Sequence, residues 1–168
     1  MAEPLIEMKC VSKHYSERTA LADINLKVAS GERVALVGPS GAGKTTLINL
    51  LNGSLLPDEG EVIVFGHNMA RIPSRQLRQV QGQIGTVYQQ FHLVKNLRVI
   101  HNVNAGNLAR WSTLKALLSL MRPLEVAEAE KALERVGIPD KLYERTDRLS
   151  GGEQQRVALA RILIQNPR

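Results

Sequence analysis

The spacing of apolar residues along the 168-residue chain changes from strand-like to helical and marks out its elements. Residues 5–11 and 24–28 alternate apolar with polar, and 33–37 is a short apolar run closing on Gly38, so each predicts a strand. Runs of this kind suit a buried sheet. After the glycine-rich turn at 38–43, Leu47, Ile48, Leu50 and Leu51 fall at helical spacing, which predicts a helix over 44–51 stopped by Asn52-Gly53. Residues 61–65 and 84–88 predict two further strands, separated by the polar stretch 71–79. From 96 to about 137 the period is helical, with Val126, Ala129, Leu133 and Val136 on one face. That region stops at Gly137-Ile138-Pro139, and a last helix is expected over 151–165, ended by Asn166-Pro167.

A chain of this length fits one domain with a real core, and its ordinary apolar content with well-mixed charges excludes disordered and fibrous classes. No apolar run approaches the roughly 20 residues a membrane span needs. The longest, such as 116–121, are interrupted by Ser119 and Pro123. The N-terminus carries Glu3 and Glu7 and no apolar core, so it does not read as a secretory signal. A cytosolic location is expected, and the lone Cys10 agrees, since a disulfide needs a second cysteine. The net charge of +6 is spread among acids, as in 131–135, which reads as a mixed solvated surface more than a nucleic-acid or membrane patch. There is no internal repeat or Pro/Gly-rich linker to divide the chain.

Gly38-Pro39-Ser40-Gly41-Ala42-Gly43-Lys44-Thr45 fits G-x-x-x-x-G-K-[ST] without mismatch, between an expected strand and an expected helix. Glycines let the backbone turn sharply and bring its N–H groups to phosphate oxygens with no Cβ in the way. The helix N-terminus adds unpaired donors and positive partial charge. Lys44 is expected to reach the β- and γ-phosphates, Thr45 to hold Mg²⁺ and Thr46 to touch the α-phosphate, which together select ATP or another nucleoside triphosphate with its metal.

A phosphate loop alone leaves kinases, GTPases, helicases and transporters open. Leu149-Ser150-Gly151-Gly152-Glu153-Gln154-Gln155-Arg156 narrows the field, because it resembles the LSGGQ signature of ABC transporter ATP-binding subunits. Ser150 with Glu153 three residues on is also an ordinary capping box. What gives the motif weight is its place downstream of the phosphate loop and ahead of Arg156-Val157-Ala158-Leu159-Ala160-Arg161. The resemblance implies that Leu149, Ser150, Gly151, Gly152 and Glu153 act across a head-to-tail dimer, capping the γ-phosphate held by the other subunit's phosphate loop.

Gln89 and Gln90 resemble the family's Q-loop, whose first glutamine contacts Mg²⁺ and the attacking water. Gln89 is the choice, with the register open by one residue, and a polar strand exit accounts for the same pair. The resemblance also places residues 89–96 against a membrane permease. Tyr15 sits where the family stacks an aromatic on adenine, though an ordinary surface tyrosine in a polar turn fits as well. Further likeness lies in His101-Asn102-Val103-Asn104-Ala105-Gly106, Trp111-Ser112-Thr113-Leu114 and the run to Leu120, which resemble the ATPases of phosphonate importers. No residue there touches a transported solute, and amino-acid or phosphate importers stay open.

What the resemblance implies is an α/β P-loop NTPase fold with an antiparallel β edge subdomain and a helical insert, the C-terminal part of the core sheet missing. It would be a single incomplete domain, 1–168, made of a β subdomain plus phosphate-loop core (1–95), the insert (96–148) and the signature helix (149–168). The family's acidic strand, with its metal-supporting Asp and catalytic Glu, would lie beyond Arg168, as would the switch histidine. His14, His67, His92 and His101 come too early to replace it and read as surface or structural. A central strand with about four buried aliphatics is worth roughly 6 to 12 kcal/mol, against a whole-domain stability of about 5 to 15. The expectation is therefore a piece of a longer subunit or a truncated product. It would be an ATPase at the cytoplasmic face of the inner membrane, partnered by a permease and a solute-binding protein and binding no nucleic acid. The rivals are a nucleotide-binding module without turnover and a non-transport ABC protein acting on nucleic acid or ribosomes. Those last relatives usually carry tandem domains or very long insertions, and this chain has neither.

Overall fold

The computed structural model describes residues 4–16 and 18–168, so the reading that used Glu3 lies outside the described residues. The chain divides into two compact units, Met1–Gln81 and Gly82–Arg168.

In the first unit, β1 (Ile6–Tyr15), β2 (Arg18–Val28), β3 (Glu59–Val64) and β4 (His67–Asn68) form a four-stranded sheet in the order β2-β1-β3-β4. Every pairing is antiparallel, with Met8 opposite Leu26 on one side and Val62 on the other. This is the expected antiparallel edge subdomain, and its alternation is that of a sheet covered on one face: Met8, Val11, Val62 and Val64 are buried. Against it lies α1 (Lys44–Leu51), which buries Leu47 and Leu50, while α2 (Ser74–Gly82) buries Val80 and bonds through Gln81 to the Gly53 carbonyl.

The sequence reading departs from the structure at two places in this unit. Residues 33–37 are extended but belong to no strand, and Val34, Leu36 and Val37 are exposed. A strand exists only through a neighbour's hydrogen bonds, and among the described residues no ladder reaches this run, whatever its apolar content. The polar stretch 71–79 contributes to α2, whose apolar stripe is only Leu77 and Val80, three residues apart.

The second unit holds α3 (Val99–Asn104), α4 (Thr113–Met121), α5 (Val126–Arg135) and α6 (Gly151–Gln165). Its core joins Val99, Ile100 and Val103 of α3, Ala129 and Leu133 of α5, and Val157, Ala160 and Ile164 of α6. Residues 84–88 are not a strand here. The Gln165 side chain donates to the carbonyls of Gly82 and Ile84 at 3.1 and 3.0 Å, and the Arg168 N–H donates to Gln83, so this extended run is held by the end of α6 instead of a neighbouring strand. Leu114, Leu117, Leu118, Leu120 and Met121 leave α4 with a largely exposed apolar surface. No described helix is long and apolar enough to cross a membrane.

Gly106, in the turn after α3, is where the backbone of α6 comes closest. A Cβ at that position would stand 2.3 Å from the Arg161 carbonyl oxygen. Gly106→Ala is expected to push the turn off α6 and cost about 1 to 3 kcal/mol, as overpacking does. The check is thermal unfolding followed by the fluorescence of Trp111, the chain's single tryptophan and a member of the same unit. An unchanged midpoint would mean that the helix yields without cost.

Candidate functional site

The phosphate loop is shaped by two left-handed glycines, Gly41 at φ 81° and Gly43 at φ 82°. Gly43 opens α1, and here glycine is required twice over. A Cβ would be strained at that φ and would stand 2.5 Å from the Ala20 carbonyl oxygen and 2.8 Å from Leu21 Cδ2, both on β2. The close approach seats the helix start on the sheet. No side chain caps that helix end and its first turn holds no acid, so no side-chain acceptor takes the first amides and no carboxylate there repels an anion. Lys44 folds back over the loop, its Nζ donating to the carbonyls of Gly38 and Pro39 at 2.6 Å each. Thr45 is exposed and Thr46 half-buried on the same turn, while Leu47 and Leu50 anchor the inner face.

Tyr15 ends β1, half exposed, with Lys13 Nζ 6.0 Å from its ring centre. The segment is tied down by Asp58, which accepts from Lys13 Nζ at 2.6 Å and from the His14 N–H at 2.7 Å. Lys13 first, then that N–H, holds the Asp58 carboxyl below its ordinary range. Asp58 was not singled out from the sequence, since in Pro57-Asp58-Glu59-Gly60 it reads as one more turn residue.

Gln89 belongs to the second unit, in a turn whose geometry is carried by its neighbours. Gln89 and Gln90 are exposed, Phe91 and His92 are both left-handed at φ 51° and 45°, and the His92 ring stacks on Tyr88 at 4.5 Å. The guanidinium of Arg161, from α6, donates to the Phe91 and His92 carbonyls at 2.9 and 3.1 Å. Asn102 holds the following segment, bonding to both the N–H and the carbonyl of Val94.

The signature lies at the head of α6. Ser150 is its N-cap, and both halves of a capping box are present: the Ser150 oxygen accepts from the Glu153 N–H, and the Ser150 N–H donates to Glu153 Oε2 at 2.8 Å. The Ser150 hydroxyl also donates to Oε2 at 2.8 Å. Leu149 is buried, whereas Gly151 and Gly152 are exposed and a Cβ on either would meet nothing within 4 Å. The Ser150 N–H, then its hydroxyl, lowers the Glu153 carboxyl from its ordinary value, with Lys141 Nζ adding to it from 3.5 Å. Among the described residues no group of three or more His, Cys, Asp and Glu is arranged to hold a metal.

The pattern of the ABC transporter family matches residues 21–168. The chain belongs to this family. Among ABC transporter relatives, the "Phosphonates import ATP-binding protein PhnC" of Anaeromyxobacter dehalogenans is 48% identical over 98% of this chain and 33% of its own length. "Phosphonates import ATP-binding protein PhnC 3" of Halalkalibacterium halodurans is 46% identical over 98% of the chain and 64% of its own length. The chain thus spans about a third to just under two thirds of these curated relatives. In fold it is similar to the dimeric MJ0796 bacterial ABC transporter cassette, with a TM-score of 0.81 at 31% identity, covering 96% of this chain and 70% of that one. The fold is accordingly the P-loop ABC ATPase type, in part.

The phosphate loop and Tyr15 fall in the first unit, and Gln89 and the signature in the second. Ser150→Ala is expected to weaken α6 by about 0.5 to 2 kcal/mol, the usual cost of losing an N-cap. The capping box should also depend on pH. The folded pKa of Glu153 lies below its unfolded value of about 4.3, so its contribution is present above that pH and is lost as pH falls through the lowered folded value. The difference between the thermal midpoints of wild type and Glu153→Gln near pH 7 should therefore shrink as pH falls through the lowered folded pKa of Glu153. A gap that persists in acid would place the effect elsewhere than in ionisation.

Proposed function

We propose that residues 1–168 are one incomplete ATPase domain of an importer subunit that couples ATP binding and hydrolysis to passage of a phosphonate or related anion through a membrane permease. The parts are the β subdomain with the phosphate-loop core (1–95), the helical insert (96–148) and the signature helix (149–168). The observation that carries the reading is the uncapped start of α1 beside Lys44, a positive helix terminus with a cation held over it on the Gly38 and Pro39 carbonyls. The two phosphonate importer proteins above support the choice of solute.

In this reading Lys44 exchanges its two loop carbonyls for β- and γ-phosphate oxygens, the amides after Gly43 receive the remaining charge, and Thr46 meets the α-phosphate. The Thr45 hydroxyl fits Mg²⁺ because it is exposed beside Lys44, and the Q-loop resemblance makes Gln89 the candidate for contact with Mg²⁺ and the attacking water. When bound, the metal neutralises charge on the transferred phosphoryl group. Tyr15 stacks on adenine, and Ser150, Gly151 and Gly152 close on the γ-phosphate held by a second subunit. The permease contacts 89–96 and continues onto the apolar cleft of about 300 Å³ lined by Val94, Leu97, His101, Leu117 and Leu120. A solute-binding protein completes the complex, and this chain sits at the cytoplasmic face of the membrane, peripheral through the permease.

The test is MgATP binding and phosphate release by this chain, with Lys44→Ala beside it. Loss of charge-assisted contacts to phosphate should weaken binding about 10- to 100-fold. Release should be absent if the water-orienting acid lies outside these residues. Equal binding by the variant would overturn the site. Release that depends on Lys44 would mean that residues 1–168 contain their own water-positioning group.

A further inference from the structure

We propose that Arg161 is the positioning residue of the Gln89 turn, its guanidinium pinning the Phe91 and His92 carbonyls and so fixing the turn to the helix that Ser150 opens. The inference rests on the reading of Gln89 given above. Arg161 is half-buried, and among the described residues no carboxylate lies within ion-pair distance of it. A desolvated cation without an acid is costly unless its donors are used, and burial shifts the Arg161 pKa downward accordingly. Here the donors go to two consecutive carbonyls, one from each terminal nitrogen, the forked geometry that arginine has and lysine lacks.

The turn has reason to need this hold. Phe91 and His92 are consecutive non-glycine residues in the left-handed region, a conformation that persists only when surrounding contacts enforce it. Short-range contacts also hold it, among them the His92 ring on Tyr88, the Phe91 N–H to the Tyr88 carbonyl, and the His92 N–H to the Gln90 carbonyl at 2.6 Å. Arg161 is the contact that comes from another element, and it lies about three helical turns, roughly 16 Å, from Ser150 on the same helix. The signature end and the glutamine turn are therefore attached to one helix, and Arg161 is a direct side-chain link through which a displacement of that helix reaches the turn.

The first experiment is amide hydrogen exchange across 88–94 in the chain carrying Arg161→Met, Arg161→Lys or Arg110→Met. Arg110 also bonds to α6, at the Ile164 carbonyl, without touching the turn. Exchange at 88–94 should rise at least 10-fold in both Arg161 variants and stay at the wild-type rate in Arg110→Met. In the assembled transporter, Arg161→Lys should lower kcat for phosphate release about 10-fold or more while KM for MgATP stays within about 2-fold, because the phosphate loop is untouched. Unchanged exchange at 88–94, or a kcat retained by Arg161→Lys, would overturn the proposal. So would equal effects in Arg110→Met, which would mark general loosening of α6. Gln89→Ala separates the two readings: if its kcat is normal the assignment of Gln89 fails, while the exchange data still judge Arg161.

Discussion

The interaction on which the second unit depends is the complete burial of one face of α6. Val157, Ala158 and Ala160 have no exposure and Ile164 almost none, and small residues at two of these positions let α3 and α5 come in close. Once that face is fixed, the remaining positions of the helix are determined. Ser150 emerges at its head with the glycines outward, Arg161 points at the carbonyls of 91–92, and Gln165 reaches those of Gly82 and Ile84. A helix of this length is too short to be stable alone in water, so its rigidity comes from this packing.

The first unit uses a different constraint. Its sheet is settled by alternation in β1 and β3, with Met8 and Val62 paired across the ladder and both buried. The phosphate loop is attached to that sheet by the contact of Gly43 with the backbone of Ala20. Any side chain at Gly43 would stand 2.5 Å from the Ala20 carbonyl oxygen and force the helix start off the strand. Gly43 therefore serves the packing beneath the loop, whereas Gly41, with nothing within 4 Å of a Cβ placed there, serves the left-handed turn alone.

How much was legible in the sequence follows from the range of the forces involved. The bounds of α1 and α6 could be read to the residue because their signals are local: Gly43 and Asn52 around one, Ser150 with Glu153 and Asn166-Pro167 around the other. The runs 33–37 and 84–88 were misread for a long-range reason, since apolar, β-branched content predicts a strand only where a partner strand is within reach. Helix α2 was missed because two apolar residues three apart make a weak stripe in a polar segment. Of the site, the residues carried by motifs were visible. Asp58 and Arg161 were not, because each acts on backbone groups of residues far away in sequence, 44 positions for Asp58 to His14 and 69 for Arg161 to His92. Nothing in the spacing of charges announces such a bond.

The two helix starts in the candidate site are prepared for an anion in opposite ways. At α1 the capping position is glycine, no side chain takes the first amides, and the nearby cation is held only by loop carbonyls. A phosphate arriving there displaces weak, neutral acceptors. At α6 the Ser150 hydroxyl already donates to the Glu153 carboxylate and accepts from its N–H, so a phosphate must compete with a charged acceptor that sits beside it. Lys141, 3.5 Å from Glu153, offsets part of that negative charge. Under the proposed function this difference sets the order of events: the phosphate loop fills first, and the signature closes only when a phosphate held by a second subunit offers the Ser150 hydroxyl a stronger acceptor than the one it leaves.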